Sequence, residues 1–264
     1  MWTFWQRTPN RLARLEINGA IDNKVRTRVL KALKEIEKSG LPALLLRIDS
    51  PGGTVVDSQE IYQALLALQA KGLKIVASFG NIAASGGVYI AMGAQHIMAN
   101  PGTITGSVGV ILRGNNLERL LDKVGVSFKV IKSGPYKDIL SFDRELSPSE
   151  ERILQDLIDT TYEQFIQVIA QARRISLETV RTWADGRIFS GEQALSLGMV
   201  DRLGSEEEAR RWATELAGLN PEAKVVEFGK QRQGLPRLLP GSQVWTRLSF
   251  ELETNGIPLW MYWP

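Results

Sequence analysis

Three short stretches of this sequence carry residue types that could do chemistry together. The first is Ala83-Ala84-Ser85-Gly86-Gly87. It follows an apolar strand-like run and opens a short helix. Its small neighbours leave room for a substrate carbonyl over the Ser85 hydroxyl, and a helix start favours negative charge. The second is Ile48-Asp49-Ser50-Pro51-Gly52-Gly53. It too lies between a buried strand and a helix, at the strand edge where parallel sheets bind ligands. Its glycines let a backbone approach closely and aim N–H groups at a developing oxyanion. Read alone, each stretch also fits an ordinary role: a tight Pro-Gly-Gly turn, and an N-capping serine in a glycine turn. The Ser85 stretch is not a Gly-x-Ser-x-Gly elbow, because position 83 is alanine.

A serine hydroxyl needs a base. His96 is the only histidine, and its place at a turn into an edge strand suits a surface or packing role better. Lysine is the other choice, and it accepts a proton only when neutral. A free lysine titrates near about 10.4; bringing it to about 7.5 by burial amounts to roughly 4 kcal/mol of destabilised ammonium, which a large folded body can supply. The third stretch, Ser133-Gly134-Pro135-Tyr136-Lys137-Asp138, offers Lys137 after a strand and a Gly-Pro turn. Residue chemistry alone leaves several lysines open, since the usual fate of a lysine is a solvated surface.

The elements that would position these residues begin with a strand over Arg11 to Ile17. A helix capped by Asp22 follows, with Val25, Val29, Leu33 and Ile36 on one face and Gly40 as its stop. Ala43 to Ile48 is a short apolar run suited to a buried strand, and Asp49 to Gly53 reads as a loop. A helix over 57–71 with Ile61, Leu65 and Leu68 on one face leads to a strand over Lys74 to Phe79. This alternation implies right-handed crossovers and a largely parallel sheet flanked by helices, an α/β fold. Strand-like segments near 96–99 and 108–112, a helix near 115–123 and a strand over Ser127 to Lys132 continue it. From Ser149 the chain reads as mainly helical: 149–173, then 176–185, 190–197 and 205–217. Residues 229–241, rich in glycine and proline, read as a linker. The expected organisation is an aromatic arm over 1–10, one catalytic domain over 11–228, and a linker with an aromatic tail over 229–264.

Composition excludes more than it selects. The chain has 264 residues and no cysteine, which removes disulfides, thiolate zinc sites and cysteine nucleophiles. One histidine cannot build a multi-histidine metal site, and no cofactor is expected. The net charge of +3 is unevenly placed: residues 1–38 carry +5 and 229–264 carry +2, leaving −4 for the body between them. A nucleic-acid binder would more often show a dense basic stripe. Five of the seven tryptophans (Trp2, Trp5, Trp245, Trp260 and Trp263) lie in the end segments. They suit either peripheral contact with an anionic membrane or packing on the body or a neighbouring subunit. No apolar run is long enough for a spanning helix, and the first residues do not form a secretory signal, so the expected location is cytoplasmic or peripheral to a membrane.

Taken together, the two glycine stretches, the Ser133–Asp138 stretch and Thr105-Gly106-Ser107-Val108-Gly109 resemble the signal peptide peptidase A family. The likeness runs from about Ala43 to Leu203 and includes Asp185-Gly186-Arg187-Ile188-Phe189, Gln193-Ala194 and Gly198-Met199-Val200-Asp201. Several motifs in the right order are far more specific than any one. The resemblance implies a crotonase-like, Clp protease-like fold and a serine endopeptidase that degrades flexible or unfolded peptides, such as cleaved signal peptides. Ser85 would be the nucleophile and Lys137, 52 residues on, the general base. Ser107 would aim the lysine amine. The N–H groups of Gly53 and Gly86 would form the oxyanion hole, with Gly52 shaping its loop. It also implies a homo-oligomeric ring in which neighbouring subunits supply the serine and lysine of one site. Members usually carry an N-terminal membrane anchor, and none is found here. Two other readings compete: a crotonase-like acyl-CoA enzyme, which should show a carboxylate base absent from Ala83 to Gly87, and a non-enzymatic ring scaffold at a membrane.

Overall fold

The computed structural model describes residues 10–230 and 257–262. Most of the N-terminal arm and most of the tail, with Trp2, Trp5, Trp245 and Trp263, lie outside the described residues.

Strand β1 (Arg11–Asn18) leads into α1 (Asn23–Ser39). The Asp22 side chain accepts the Val25 N–H at 2.8 Å, and Gly40 closes the helix with a left-handed φ of 65°. Those two caps satisfy backbone groups that a helix end leaves without partners. Strand β2 (Ala43–Ser50) is followed by β3 (Gly52–Thr54), α2 (Val55–Ala70), β4 (Lys74–Ala84) and α3 (Gly86–Ala91). Next come β5 (His96–Ala99), β6 (Ile104–Gly106) and α4 (Glu118–Val124). The long α5 (Pro148–Arg173) precedes α6 (Leu177–Arg181), β7 (Ile188–Ser190), α7 (Gly191–Ser196), β8 (Arg202–Leu203), α8 (Glu206–Leu216) and β9 (Lys224–Phe228). Strand β10 (Leu259–Met261) is the last described element.

By its contacts the chain divides into two compact units. Among the described residues the first comprises 10–109, 165–230 and 260–262 and holds the main sheet, in the order β7-β6-β4-β2-β1-β9. Its strands pair in parallel except β6 with β7. The long β4 is a fork: Val76–Ser78 pair with β5, and Ile82–Ala84 pair with β6. The sheet is covered on both faces, which is why Leu44, Leu45 and Leu46 run consecutively and are all buried. On one face Leu12, Leu45, Val76 and Met98 pack against Ala209, Trp212 and Ala213 of α8. Arg14 and Arg47 lie on that same face and form ion pairs with Glu206 in the first turn of α8. The second unit comprises, among the described residues, 110–164 and 257–259, and carries α4 and the start of α5.

The structure corrects several sequence expectations. The segment over Asp49 to Gly53 is not a loop: β2 runs to Ser50, and β3 begins at Gly52 because β10 pairs with it. The strand expected near 108–112 lies earlier, at Ile104–Gly106, where β4 offers a free edge; Ile111 makes only an isolated bridge to Leu259. Residues 127–132 form no strand. They are exposed, with Ile131 at 90%, and no described strand pairs with them. The C-terminal half is less helical than its periodicity suggests, since β7, β8 and β9 all join the sheet. Trp260 is fully buried, so for this tryptophan the packing alternative holds.

Candidate active site

Strand β4 ends at Ala84, and one residue later α3 begins. Ser85 makes that turn by itself, with φ 52° and ψ −114°. Its N–H donates to the Gly106 carbonyl at 2.8 Å, extending the ladder to β6, and its carbonyl accepts the Tyr89 N–H at 3.0 Å, starting α3. A non-glycine residue held there stores about 1–3 kcal/mol of strain. Ser85 is 1% exposed, yet its Oγ has no hydrogen-bond partner among the described residues. The side chain does not cap α3, so the capping role that the sequence allowed is not the one it plays. A buried, unbonded hydroxyl costs about 1–3 kcal/mol, and with the backbone strain it marks a position held against local preference.

The register of β4 on β6 pairs Ala84 with Gly106, so Ser85 and Ser107 are the next positions along two neighbouring strands. Ser107 is also left-handed, at φ 51°, and 8% exposed. Its N–H donates to the Arg187 carbonyl at 2.7 Å, just before β7. Two neighbouring strands thus end in serines at adjacent register positions, each with a positive φ.

The glycine segment after β2 meets them from the other edge of β4. Gly52 has φ 103°, and its N–H donates to the buried Ser50 Oγ at 3.1 Å. That N–H is therefore already engaged, and the positive φ places Gly52 at the bend between β2 and β3. A Cβ on Gly53 would fall 1.9 Å from the Ile21 carbonyl oxygen. A Cβ on Gly86 would fall 2.6 Å from Ser58 Oγ and 3.2 Å from the Gly53 nitrogen. Gly53 is thus held against the Ile21 carbonyl where a side chain has no room, and Gly86 packs tightly against Ser58 and beside the Gly53 nitrogen. Sequence reasoning missed Ser50 and Ser58. Both are fully buried, and Ser58 donates to the Thr54 carbonyl at 2.9 Å. Ser50 sat inside the quoted glycine stretch, whereas nothing in the helical periodicity of α2 singles out Ser58.

Lys137 lies in the second unit, in a turn where its N–H reaches the Gly134 carbonyl at 3.3 Å. Its side chain is exposed and makes no ion pair with the described residues. The neighbouring Lys132 is the ion-paired lysine, 2.6 Å from Asp138. Arg144 bridges Asp138 and Glu150, and Glu150 also accepts the Ser147 N–H at 2.8 Å. Hydrogen bonds from Arg144 and Lys132 hold the Asp138 carboxyl down at about 2. Bonds from Arg144 and Ser147 likewise depress Glu150. This network pins the turn that carries Lys137 to the start of α5.

His96 is remote from this chemistry. It pairs with Val76, near the opposite end of β4 from Ser85; nine residues of extended strand span about 30 Å. Burial lowers its pKa, and its ring packs 4.5 Å from that of Trp212. The single chain thus unites Ser85, Ser107, Gly52, Gly53 and Gly86 in the first unit and places Lys137 in the second.

Comparison with known proteins gives the fold and the family. A ClpP1 variant from Listeria monocytogenes superposes with a TM-score of 0.52 at 18% identity, over 74% of this chain and 93% of that one. The sequence family of Clp proteases matches residues 5–103. The fold is therefore Clp protease-like, or crotonase-like: a mostly parallel sheet flanked by helices. The more specific match is to peptidase family S49, over residues 67–220, a span that includes Ser85, Ser107 and Lys137. Two relatives with provisional names agree. One, from Synechocystis sp., is named a protease and is 60% identical over 99% of both chains. The other, from Enterococcus faecium, is named a signal peptide peptidase, SppA, and is 32% identical over 89% of this chain and 71% of its own. This chain belongs to peptidase family S49, the SppA family of serine-type peptidases. No described helix is long and apolar enough to cross a membrane.

Proposed function

We propose that this peptidase is an endopeptidase that cleaves flexible peptides, such as spent signal peptides, through an acyl-enzyme on Ser85. The observation that carries this reading is the buried, unbonded hydroxyl of Ser85, held in a strained turn beside the backbones of Gly53 and Gly86. Ser85 Oγ attacks the scissile carbonyl, and the N–H groups of Gly53 and Gly86 receive the oxyanion. A single donor of this kind is worth about 10²–10³ in rate. Lys137 takes the hydroxyl proton and returns it to the leaving amine, and Ser107 orients the lysine amine. Water then hydrolyses the ester. A base role asks for a buried lysine, whereas Lys137 in the single chain is exposed. The proposal therefore includes a homo-oligomer in which a neighbouring copy covers it. The Ser85 hydroxyl and the glycine backbones need no cofactor.

The test is hydrolysis of unfolded casein by Ser85→Ala and Lys137→Ala, with labelling of Ser85 by a fluorophosphonate probe. Loss of activity in both variants and loss of labelling in the first are expected. Full activity in either variant would end the dyad assignment. Sedimentation of the native protein as a monomer at assay concentration would end the assembly.

A further inference from the structure

The chain's own β10 pairs with β3, the strand that carries Gly52 and Gly53. The two strands form a separate two-stranded sheet, and the Tyr262 N–H donates to the Pro51 carbonyl at 2.7 Å. The carbonyl oxygen of Trp260 lies against the glycine backbones. A Cβ on Gly52 would sit 2.0 Å from that oxygen and 2.8 Å from the Gly86 nitrogen, and a Cβ on Gly86 would sit 3.1 Å from the same oxygen. A peptide carbonyl therefore rests beside the two segments assigned above to the oxyanion hole, next to Ser85. This is how an extended peptide adds to an exposed strand edge, with main-chain bonds holding it and a side-chain pocket reading it.

The pocket is specific in composition. The Trp260 indole is fully buried, stacked on Tyr89 at 4.1 Å and 29°, and tilted on Phe165 at 4.7 Å. Tyr62 meets Tyr89 edge-on at 5.1 Å and completes the aromatic wall. Tyr89 belongs to α3, the helix that Ser85 starts, so one helix both positions the nucleophile and lines the pocket. The indole Nε1 is buried without a partner among the described residues. Trp183 Nε1 is buried without a partner among the described residues too, so the assignment of the pocket rests on the position of the Trp260 carbonyl and on the aromatic wall. A phenyl ring would fill the same wall and leave no donor unpaired.

We propose that Leu259–Tyr262 occupies the peptide groove of this site as a tethered peptide, and that the pocket holding the Trp260 indole is a subsite selective for large aromatic side chains. The inference rests on the endopeptidase reading for the identity of the groove and adds to it a substrate class and a self-occupied resting state. Substrate peptides compete with the chain's own segment for β3. Peptides with phenylalanine or tryptophan immediately before the scissile bond compete best, and those with alanine or aspartate worst.

The experiment compares native full-length protein with Trp260→Asp on fluorogenic peptides that differ only at that position. Aspartate is excluded from an aromatic pocket, so Trp260→Asp should free the groove and raise turnover of the phenylalanine peptide at least about tenfold, a difference of one pocket-sized apolar contact. Both proteins should prefer phenylalanine to alanine by at least about tenfold. An unchanged rate in a folded Trp260→Asp overturns the tethered occupant, and equal cleavage of the two peptides overturns the subsite. If Trp260→Asp fails to fold, the peptide preference of the native protein alone decides. If nothing is hydrolysed, the endopeptidase reading fails separately. Binding of a fluorescent peptide spanning residues 257–262 to Trp260→Asp then decides this inference: affinity lost when its tryptophan becomes alanine upholds it, and equal or absent binding overturns it.

Discussion

Replacing Ser85 by alanine should make the protein more stable while abolishing its proposed activity. The Ser85 Oγ is buried and unpaired, a deficit of about 1–3 kcal/mol that alanine removes. Alanine keeps the Cβ and therefore keeps the strain of φ 52° and ψ −114°. After allowing for the lost contacts of one oxygen, the expected gain is about 1–2 kcal/mol, or roughly 2–8 °C in melting temperature for a chain of this size. Glycine at the same position also relieves the backbone, recovering about 1–3 kcal/mol of strain against about 0.5–1 kcal/mol of chain entropy. The expected order of stability is Ser85→Gly at or above Ser85→Ala, and both above the native protein. Thermal and urea unfolding at a protomer concentration low enough to keep the chain monomeric measures it, since assembly makes the midpoint concentration-dependent and would bring a lysine to the Ser85 hydroxyl. If Ser85→Ala is less stable by more than about 1 kcal/mol, the hydroxyl makes a native bond of the usual worth. The account of a serine held unbonded for attack would then be wrong.

Gly53→Ala should lower stability by about 1–3 kcal/mol or more, because its Cβ would meet the Ile21 carbonyl at 1.9 Å and backbone cannot give way as a side chain can; a melting curve at or above that of the native protein would contradict the close approach. Asp138 and Glu150 are held below ordinary carboxylate values, so the stability they lend to the Lys137 turn is fully present above about pH 4 and is lost as pH falls towards 2. The stability difference between native protein and Asp138→Asn, followed by urea unfolding, should therefore shrink across that window, and a difference independent of pH would refute the network. His96→Ala should retain peptidase activity within about twofold, being about 30 Å along the strand from Ser85, while losing stability through its packing on Trp212; a hundredfold loss of turnover in a folded variant would return histidine to the mechanism.

The sequence by itself determined what depends on neighbours within a few residues. Asp22 and Gly40 bound α1 because caps act on the first and last turn. Ser190 and Ser205 start their helices through capping boxes, with Gln193 and Glu208 three residues on. The apolar run of β2 announced a strand covered on both faces, and Ser85 was legible as a residue between strand and helix. Pairing across the chain was not legible, because a strand's hydrogen-bond partner leaves no local signature. β3 exists through β10, some two hundred residues away in sequence, and β9 joins β1 from the opposite end of the chain. The run over 127–132 has strand-like residues and no described partner, so it forms none. The same distinction divides the site. Residue types proposed Ser85, and only family resemblance singled out Lys137 from the other lysines. Only the tertiary structure set Ser107 beside Ser85 through the register of β6 on β4, brought Gly53 against Gly86, and laid Trp260 in the aromatic pocket behind them.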